Sequence, residues 1–197
     1  MNRSRIVSLL LPLPVLLAAG LPAGTARADP ATVIERGDHD PVTGLTTPQR
    51  QELLAAHNRW RTQVGVPALV WSEALAASAA QWAAQLGRGY SCAMEHSDRP
   101  EVGENLYWAS AITWSDGRVS MQDVTPSFVV DVWGRESADY QPATNTCRPG
   151  KVCGHYTQLV WRGTRQVGCA LRVCGAKDQV WICQYQPAGN YIGQRPY

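Results

Sequence analysis

A cysteine and a histidine lie two residues apart in the segment KVCGHYTQLVW, residues 151–161. A thiolate beside an imidazole can act as a nucleophile, and the same two side chains can bind zinc. Cys153 can equally belong to a disulfide that lies next to a functional His155. None of the six cysteines forms the C-x-x-C pair that is typical of zinc knuckles and redox motifs. The chemistry of Cys153 therefore depends on the compartment in which the chain folds.

The first 28 residues have the features of a secretory signal peptide. Arg3 and Arg5 precede a mostly apolar run, and Ala26-Arg27-Ala28 is a small-x-small cleavage site. A membrane anchor is the alternative, but prolines interrupt and end the apolar run. We therefore expect cleavage after Ala28, a secreted protein, and no integral membrane segment in the mature chain.

Removal of the signal peptide changes the net charge and places the cysteines in an oxidising compartment. The full chain has a formal net charge of +2, and loss of three arginines with no acid leaves −1. Bulk charge therefore gives no indication of nucleic-acid binding. All six cysteines lie in the mature part, and an even number in an exported chain indicates disulfides, although spacing leaves their pairing open. A thiol nucleophile and a Cys–His zinc site are both disfavoured, and we expect a monomer.

In the first half of the mature chain, the elements that position the cysteine and histidine side chains are predicted to be helices. Residues 29–45 lack an apolar period and contain two prolines and two glycines, which predicts a flexible leader before a domain over residues 46–197. N-capping residues followed by apolar side chains at helical spacing predict three helices. They begin at Thr47-Pro48, at Ser72 and at Thr125-Pro126, and the second ends at Leu86.

Strands are predicted in the second half of the chain. Strand-like runs cover residues 159–161, 166–173 and 179–185, and the last two alternate around a turn that is typical of an antiparallel hairpin. Residues 88–124 show no clean period. Helices followed by a meander predict an α+β fold.

His57 falls on the apolar face of the first predicted helix, near Leu53 and Trp60. A histidine that is hydrogen-bonded within the core is a simpler interpretation than a ligand. We therefore expect His57 to be structural.

Several segments together resemble the CAP superfamily, which comprises cysteine-rich secretory proteins, antigen 5 and pathogenesis-related class 1 proteins. The run from Gly154 to Trp161 is similar to its first signature, and the run from Cys183 to Gly193 is similar to its second. Gly103-Glu104-Asn105-Leu106, Trp133-x-x-Glu136 and Ala56-His57-Asn58 also match. The resemblance covers about residues 47–197 and is strongest to plant pathogenesis-related class 1 proteins. It implies an α-β-α sandwich with a central antiparallel sheet, stapled by disulfides, and a cleft.

The resemblance also implies three disulfides and a group of four titratable cleft residues. The plant pattern pairs Cys92 with Cys174, Cys147 with Cys153, and Cys169 with Cys183. The cleft residues of the family fall on His96, Glu104, Glu136 and His155. Two imidazoles and two carboxylates could bind zinc or another divalent cation as the only cofactor. They could equally hydrogen-bond in pairs with no metal present.

A non-enzymatic binding module for a sterol-like or other lipid is the function that the resemblance favours, together with a role in defence. The segment from residue 107 to residue 124 would supply a ligand loop through Tyr107, Trp108, Trp114 and Met121. Exposed aromatic side chains suit a lipid or partner surface. The same side chains could instead cover the helical layer.

Two other functions remain as alternatives. A zinc-dependent hydrolase would use the four cleft residues, but the chain has neither a G-x-S-x-G nor an H-E-x-x-H motif. We therefore expect no catalytic residues. Residues 187–197 resemble a signalling peptide that plant relatives release. The asparagine of the plant processing site is replaced here, so a structural role for the tail is favoured.

Overall fold

Helices pack on both faces of a four-stranded sheet in residues 40–197, the part of the chain that this computed structural model describes. The expected signal peptide, residues 1–28, and residues 29–39 of the expected leader lie outside the described residues. The helices and strands are, in chain order, α1 (Thr47–Gln63), β1 (Val70–Trp71), α2 (Glu73–Leu86), β2 (Gly103–Ala109), β3 (Ile112–Thr113), β4 (Val119–Ser120), α3 (Pro126–Arg135), β5 (Tyr140–Gln141), β6 (Thr146–Cys147), α4 (Gly154–Leu159), β7 (Gln166–Val173) and β8 (Gln179–Gln186). A short 3-10 helix, Glu136–Ala138, follows α3. No helix in the described range is long and apolar enough to cross a membrane.

The three predicted helices form, and each begins at a polar cap. Thr46, one residue before the predicted Thr47, caps α1: its hydroxyl accepts the N–H of Gln49, whose side-chain oxygen accepts the N–H of Thr46. This reciprocal pair satisfies two backbone donors that a helix start otherwise leaves free. Ser72 and Thr125 cap α2 and α3 through their hydroxyl groups, as the sequence predicts.

The central sheet has the strand order β1-β7-β8-β2. Strands β7 and β8 form the predicted antiparallel hairpin, and β2 pairs antiparallel with β8. Strand β1 runs parallel to β7. The α-β-α sandwich is therefore confirmed, with a sheet that is mixed instead of wholly antiparallel.

The sheet separates two apolar cores. One face carries Leu106, Ala170 and Ile182 against the alanines of α2. Gly168 allows α2 to lie close to the sheet, because any side chain there would clash with the helix. A Cβ at this position would lie only 2.2 Å from the backbone nitrogen of Ala76. The opposite face packs against α1, α3 and α4 and contains Cys169, Cys183, Tyr185 and Trp181 among its buried residues.

The strand predicted over residues 159–161 is wrong, because Leu159 ends helix α4. The carboxylate of Glu136 accepts the backbone N–H groups of His155 and Tyr156 at 3.0 and 3.1 Å. These donors belong to the first turn of α4, where no intrahelical partner exists. A residue from another element thus stabilises a short helix in a segment with a strand-like sequence.

The structure also differs from the expected leader at its C-terminal end. Leu45 is fully buried in the core with α1 and α3, and Thr43 is almost as buried. The backbone N–H of Leu171 donates to the Thr43 carbonyl at 2.8 Å, which attaches the segment to β7. Residues 40–45 are therefore part of the folded domain.

The six cysteines form three disulfides, in the pairing that the resemblance implies. Cys169 and Cys183 lie directly opposite each other on β7 and β8. The bond between Cys147 and Cys153 closes a short loop before α4, and the bond between Cys92 and Cys174 joins the segment after α2 to the β7–β8 turn. The described residues include no free cysteine. Cys153 is thus a structural half-cystine next to His155.

Candidate functional site

The four cleft residues form two histidine–glutamate pairs. The Nδ1 atom of His96 lies 3.0 Å from Glu104 Oε1, and the Nδ1 atom of His155 lies 2.6 Å from Glu136 Oε1. Each carboxylate is more buried than the imidazole it contacts. The glutamates therefore fix the two rings from inside the protein.

Glu104 lies on β2 and holds the first pair together. Its carboxylate accepts the backbone N–H and the hydroxyl of Ser97, both at 2.9 Å, and the side-chain amide of Gln184 at 3.0 Å. Burial alone would raise the pKa of the Glu104 carboxyl, but hydrogen bonds from His96, Gln184 and Ser97 hold this pKa below its ordinary value. The hydrogen bond to Glu104 raises the pKa of His96, whose side chain is 65% exposed. The first pair therefore combines an ionised carboxylate with an accessible imidazole.

Glu136 holds the second pair at the junction of α3 and α4. It lies at the end of α3, and one of its oxygens caps α4 while the other contacts His155. The ring of His155 stacks on Trp133, with centroids 6.4 Å apart and planes 13° apart. The orientation of His155 is therefore set by a carboxylate on one side and an indole on the other.

Neighbouring residues of β2 meet the two pairs from opposite faces of the sheet. Glu104 is paired with Gln184 in the β2–β8 register, on the α2 face. The next residue, Asn105, points to the other face and donates to the His155 carbonyl at 3.0 Å.

The separation of the pairs limits what they can bind together. Within residues 40–197, the only three His, Cys, Asp or Glu ligand atoms that lie within 4.8 Å of one another belong to Cys92, Cys174 and Asp178. Both cysteines of that group are in a disulfide, so they are not thiolate ligands. No three of the four cleft residues are as close as this in the structure. In this arrangement a shared cation could be contacted by the ligand atoms of at most two of the four residues within that distance.

A buried polar network beside the second pair includes residues that the sequence does not assign to the site. Asn105 donates to the Tyr185 hydroxyl at 3.2 Å, and that hydroxyl lies 2.9 Å from His57 Nε2. The Nδ1 atom of His57 lies 2.7 Å from the Leu53 carbonyl. The prediction that His57 is a hydrogen-bonded core residue is confirmed. The Gly-Glu-Asn-Leu motif contains Asn105, so strand alternation within that motif is the signal that could have revealed it.

The four predicted ligand-loop residues differ in their surroundings. Tyr107 and Trp108 lie on β2 instead of a loop. The Tyr107 ring packs edge-to-face on Phe128 of α3 with centroids 6.1 Å apart, so this residue covers the helical layer. Trp108 is 41% exposed, and its indole N–H donates to Asp178 at 3.1 Å.

A projecting hairpin, formed by β3 and β4, carries most of the remaining apolar residues. Its turn includes Gly117 at a φ of +83°, a value that L-residues with side chains rarely adopt. The Trp114 indole donates to Ser120 at 3.0 Å, and the Arg118 guanidinium lies 5.5 Å from the Trp114 ring centroid. We call the exposed apolar residues of this region the hairpin surface: Trp108, Ile112, Trp114, Val119 and Met121, each 36–48% exposed.

The C-terminal tail is attached to the domain. The Tyr197 hydroxyl lies 3.1 Å from that of Tyr156, and Asn145 donates to the Gln194 carbonyl at 2.9 Å. The backbone N–H of Arg162 donates to the Pro196 carbonyl at 2.6 Å. These contacts support the structural role that the sequence favours for residues 187–197.

Comparisons with known proteins agree with this fold. Residues 54–185 match the model of the cysteine-rich secretory protein family. A pathogenesis-related protein of PR-1 type from Sambucus nigra is 44% identical over 147 residues, covering 75% of this chain and 81% of that protein. The crystal structure of Na-ASP-1 superposes with a TM-score of 0.62 and 26% identity over 80% of this chain, which spans only 43% of that one. The structure of NaASP2 with Zn²⁺ has a TM-score of 0.59 and 22% identity, over 80% of this chain and 88% of that chain.

Proposed function

The chain belongs to the CAP family of cysteine-rich secretory proteins, and from this premise we propose that it is a secreted, defence-related protein that binds a sterol-like or other lipid ligand. The hairpin surface is the observation that carries the proposal. Five large apolar side chains are exposed there within residues 108–121, and exposed aromatic side chains suit a lipid surface.

The geometry of the β3–β4 hairpin favours contact between its apolar side chains and a ligand over packing of these side chains against the helices. Ile112 pairs with Ser120, and Thr113 pairs with Val119, so successive residues point to opposite faces of the hairpin. Ile112 and Val119 therefore lie on opposite faces, and both are exposed. Neither face is buried against a helix, so both can contact acyl chains or a sterol ring. Arg118 beside Trp114 pairs with Asp116 at 2.6 Å, and together they give the hairpin a polar rim that a lipid headgroup could contact.

Removal of the two exposed indoles is expected to weaken lipid binding. We expect Trp108→Ala and Trp114→Ala each to cost about 1–3 kcal/mol of binding free energy, because each ring would lose its burial in the ligand. Binding would be measured by titration with phospholipid vesicles, with and without cholesterol. Ile192→Ala is the control, since Ile192 is a fully exposed apolar residue on the tail. Equal losses in the control and in the two tryptophan variants would contradict a specific role for the hairpin surface.

We propose that the two imidazoles are the groups that a divalent cation would contact, with the glutamates as orienting partners. In both pairs Nδ1 faces a carboxylate, which leaves Nε2 as the free ring nitrogen. Metal-binding histidines in proteins commonly have this carboxylate contact on the other nitrogen. The four donors that surround Glu104 and the three that surround Glu136 already use most of the oxygen lone pairs. The similar structure of NaASP2, determined with Zn²⁺, makes zinc the first ion to test.

Zinc binding is expected to require both histidines and to weaken in acid. An imidazole must be deprotonated to bind a metal, and the hydrogen bond to Glu104 raises the pKa of His96, so zinc affinity should fall as the pH drops through this raised value. The double variant His96→Ala/His155→Ala should lose calorimetric zinc uptake, and Glu104→Gln should weaken it by about 10- to 100-fold. Circular dichroism would verify that the variants keep their fold. Zinc uptake by the double variant equal to that of the wild type would remove the histidines from the metal site.

The same contacts argue against the hydrolase alternative. A general base needs a free oxygen within reach of a reacting proton, either directly or through one water. Glu104 and Glu136 instead use their oxygens to orient His96 and His155 and to bind backbone N–H groups. A binding function therefore fits the geometry better than a metal-assisted hydrolysis.

A further inference from the structure

A polar pocket lies between α2 and the segment that faces it, and it shares no residue with the hairpin surface. Its volume is about 300 Å³. Ser78, Gln81, Trp82 and Gln85 form the α2 wall, and Asp98 and Arg99 lie on the facing segment. The α2 residues are spaced i, i+3, i+4 and i+7, which places them on one face of the helix. This face would ordinarily be a solvated helix surface, but here a second wall turns it into a pocket.

Three side chains in this pocket keep their hydrogen-bonding capacity. Within residues 40–197, the side chains of Gln81, Gln85 and Asp98 have no hydrogen-bond or ion-pair partner. The two amides each offer two donors and an acceptor, and the carboxylate offers acceptors only. A ligand with several neighbouring hydroxyl groups can both donate and accept, so it can satisfy all three.

A second cavity, near the tail, has polar side chains that are already hydrogen-bonded within the protein. It has a volume of about 340 Å³ and includes Asn145 and Asn190 in its wall. These amides already donate to the carbonyls of Gln194 and Gly154, both at 2.9 Å. The polar groups of the tail cavity hold the protein together, whereas those of the α2 pocket are available to a ligand.

The remaining groups of the α2 pocket offer a ligand an apolar ring and disfavour an anion. The Trp82 indole N–H donates to the Glu95 carbonyl at 2.8 Å, so this half-buried ring can offer a ligand only its apolar surface. Arg99 pairs with Glu101 at 2.7 Å and contacts the Ser78 hydroxyl. Glu101 thus offsets the guanidinium charge and Asp98 adds a further negative charge, so a phosphate or carboxylate ligand would find no excess positive charge.

We propose that the α2 pocket binds a neutral carbohydrate of one or two sugar units. The hydroxyl groups of the sugar would bond to Gln81, Gln85 and Asp98, and its C–H surface would pack on the Trp82 ring. The pocket volume lies at the small end of the range of about 300–1,000 Å³ that is common for ligand sites. The proposal is independent of lipid binding, because no residue is common to the two surfaces.

Saccharide binding by the full mature protein tests this assignment. Saturation-transfer NMR and calorimetry would use maltose, cellobiose and N,N′-diacetylchitobiose, with inorganic phosphate and glucuronate as anionic probes. We expect at least one disaccharide to bind, and both Gln81→Ala and Gln85→Ala to weaken its binding by about three- to tenfold, as loss of one hydrogen bond predicts. Gln63→Ala is the matched control, because Gln63 is an exposed glutamine at the end of α1 and lies outside the pocket.

The outcomes that would overturn the proposal are specific. They are no binding of any of the three disaccharides, tighter binding of the anionic probes, and equal saccharide binding by the Gln81→Ala/Gln85→Ala double variant and the wild type. Both glutamines are exposed and without partners, so the double variant is expected to keep its fold and its lipid binding. Retained lipid binding with lost saccharide binding would separate this site from the hairpin surface.

Discussion

Replacing Arg61 with methionine is expected to lower the free energy of unfolding by about 3–5 kcal/mol. Arg61 is fully buried, and its guanidinium donates to the carbonyls of Pro67, Leu159, Trp161 and Thr164 at 2.7–3.1 Å. Methionine would fill part of the space but would leave all four carbonyls without this donor. The Trp161 and Thr164 carbonyls keep the Thr164 N–H and the Arg165 guanidinium as donors. The loss therefore comes mainly from the other two carbonyls, at about 1–3 kcal/mol for each unsatisfied acceptor.

The Arg61 prediction would be checked by urea unfolding with the disulfides intact. Burial lowers the pKa of Arg61 to about 10, so the group is still charged at neutral pH and the wild type retains all four bonds. Arg59→Met on the same helix is the control, since Arg59 is half-exposed and contacts Asp131 at the surface. Exposed ion pairs contribute about 0–1 kcal/mol. A loss in Arg61→Met no larger than in Arg59→Met would show that the carbonyls find other partners.

Acidification from about pH 7 to about pH 4 is expected to cost roughly 3 kcal/mol of stability through His57 alone. Burial lowers the pKa of His57 from the ordinary value of 6.5 to about 4 in the folded protein. Between these values the unfolded chain binds a proton that the folded protein excludes. Stability therefore falls as the pH drops below 6.5, and the loss is complete once the folded protein also takes up the proton.

The variant His57→Gln separates this effect from other titrations. A glutamine amide also offers a donor and an acceptor in place of the two ring nitrogens that contact the Leu53 carbonyl and the Tyr185 hydroxyl, but it carries no titratable proton. Unfolding would be measured at about pH 7, 5.5 and 4, and we expect a smaller acid-induced loss in the variant than in the wild type. The contribution of His96 to stability depends on pH in the opposite direction. Because its pKa is raised in the folded protein, this stabilisation is fully present below pH 6.5 and is lost as the pH rises through the raised value. Equal losses in the variant and the wild type would assign the acid sensitivity to other groups.

Local signals in the sequence predict some elements well. Ser72 and Thr125 cap their helices as expected, because a hydroxyl at a helix start acts through bonds to nearby backbone. The β7–β8 hairpin also follows from alternation around a short turn. In contrast, α4 depends on Glu136, which lies 18 residues before the helix begins. Local pattern analysis cannot detect a capping residue that comes from another element.

The candidate site also combines features that the sequence predicts with features that depend on the folded structure. The four cleft residues could be identified only through the family resemblance, since their spacing carries no pattern. Their separation into two pairs depends on β2, which places Glu104 and Asn105 on opposite faces of the sheet. The sequence gives no clean period around β2, so it could not predict the direction of the Glu104 side chain. Exposed aromatic side chains could be expected at Trp108 and Trp114, although the β3–β4 hairpin and the location of Tyr107 against α3 could not.

The central claim is that this protein binds a lipid and performs no chemistry at its histidine–glutamate pairs. The most direct measurement is sterol and phospholipid binding by the mature wild type and Glu104→Gln, with esterase and peptidase assays on the same samples with and without zinc. We predict lipid binding by both proteins at similar affinity and no zinc-dependent turnover by either, because Glu104 lies outside the hairpin surface. Absence of lipid binding by the wild type, together with a zinc-dependent turnover that Glu104→Gln loses, would contradict the account and identify the protein as an enzyme.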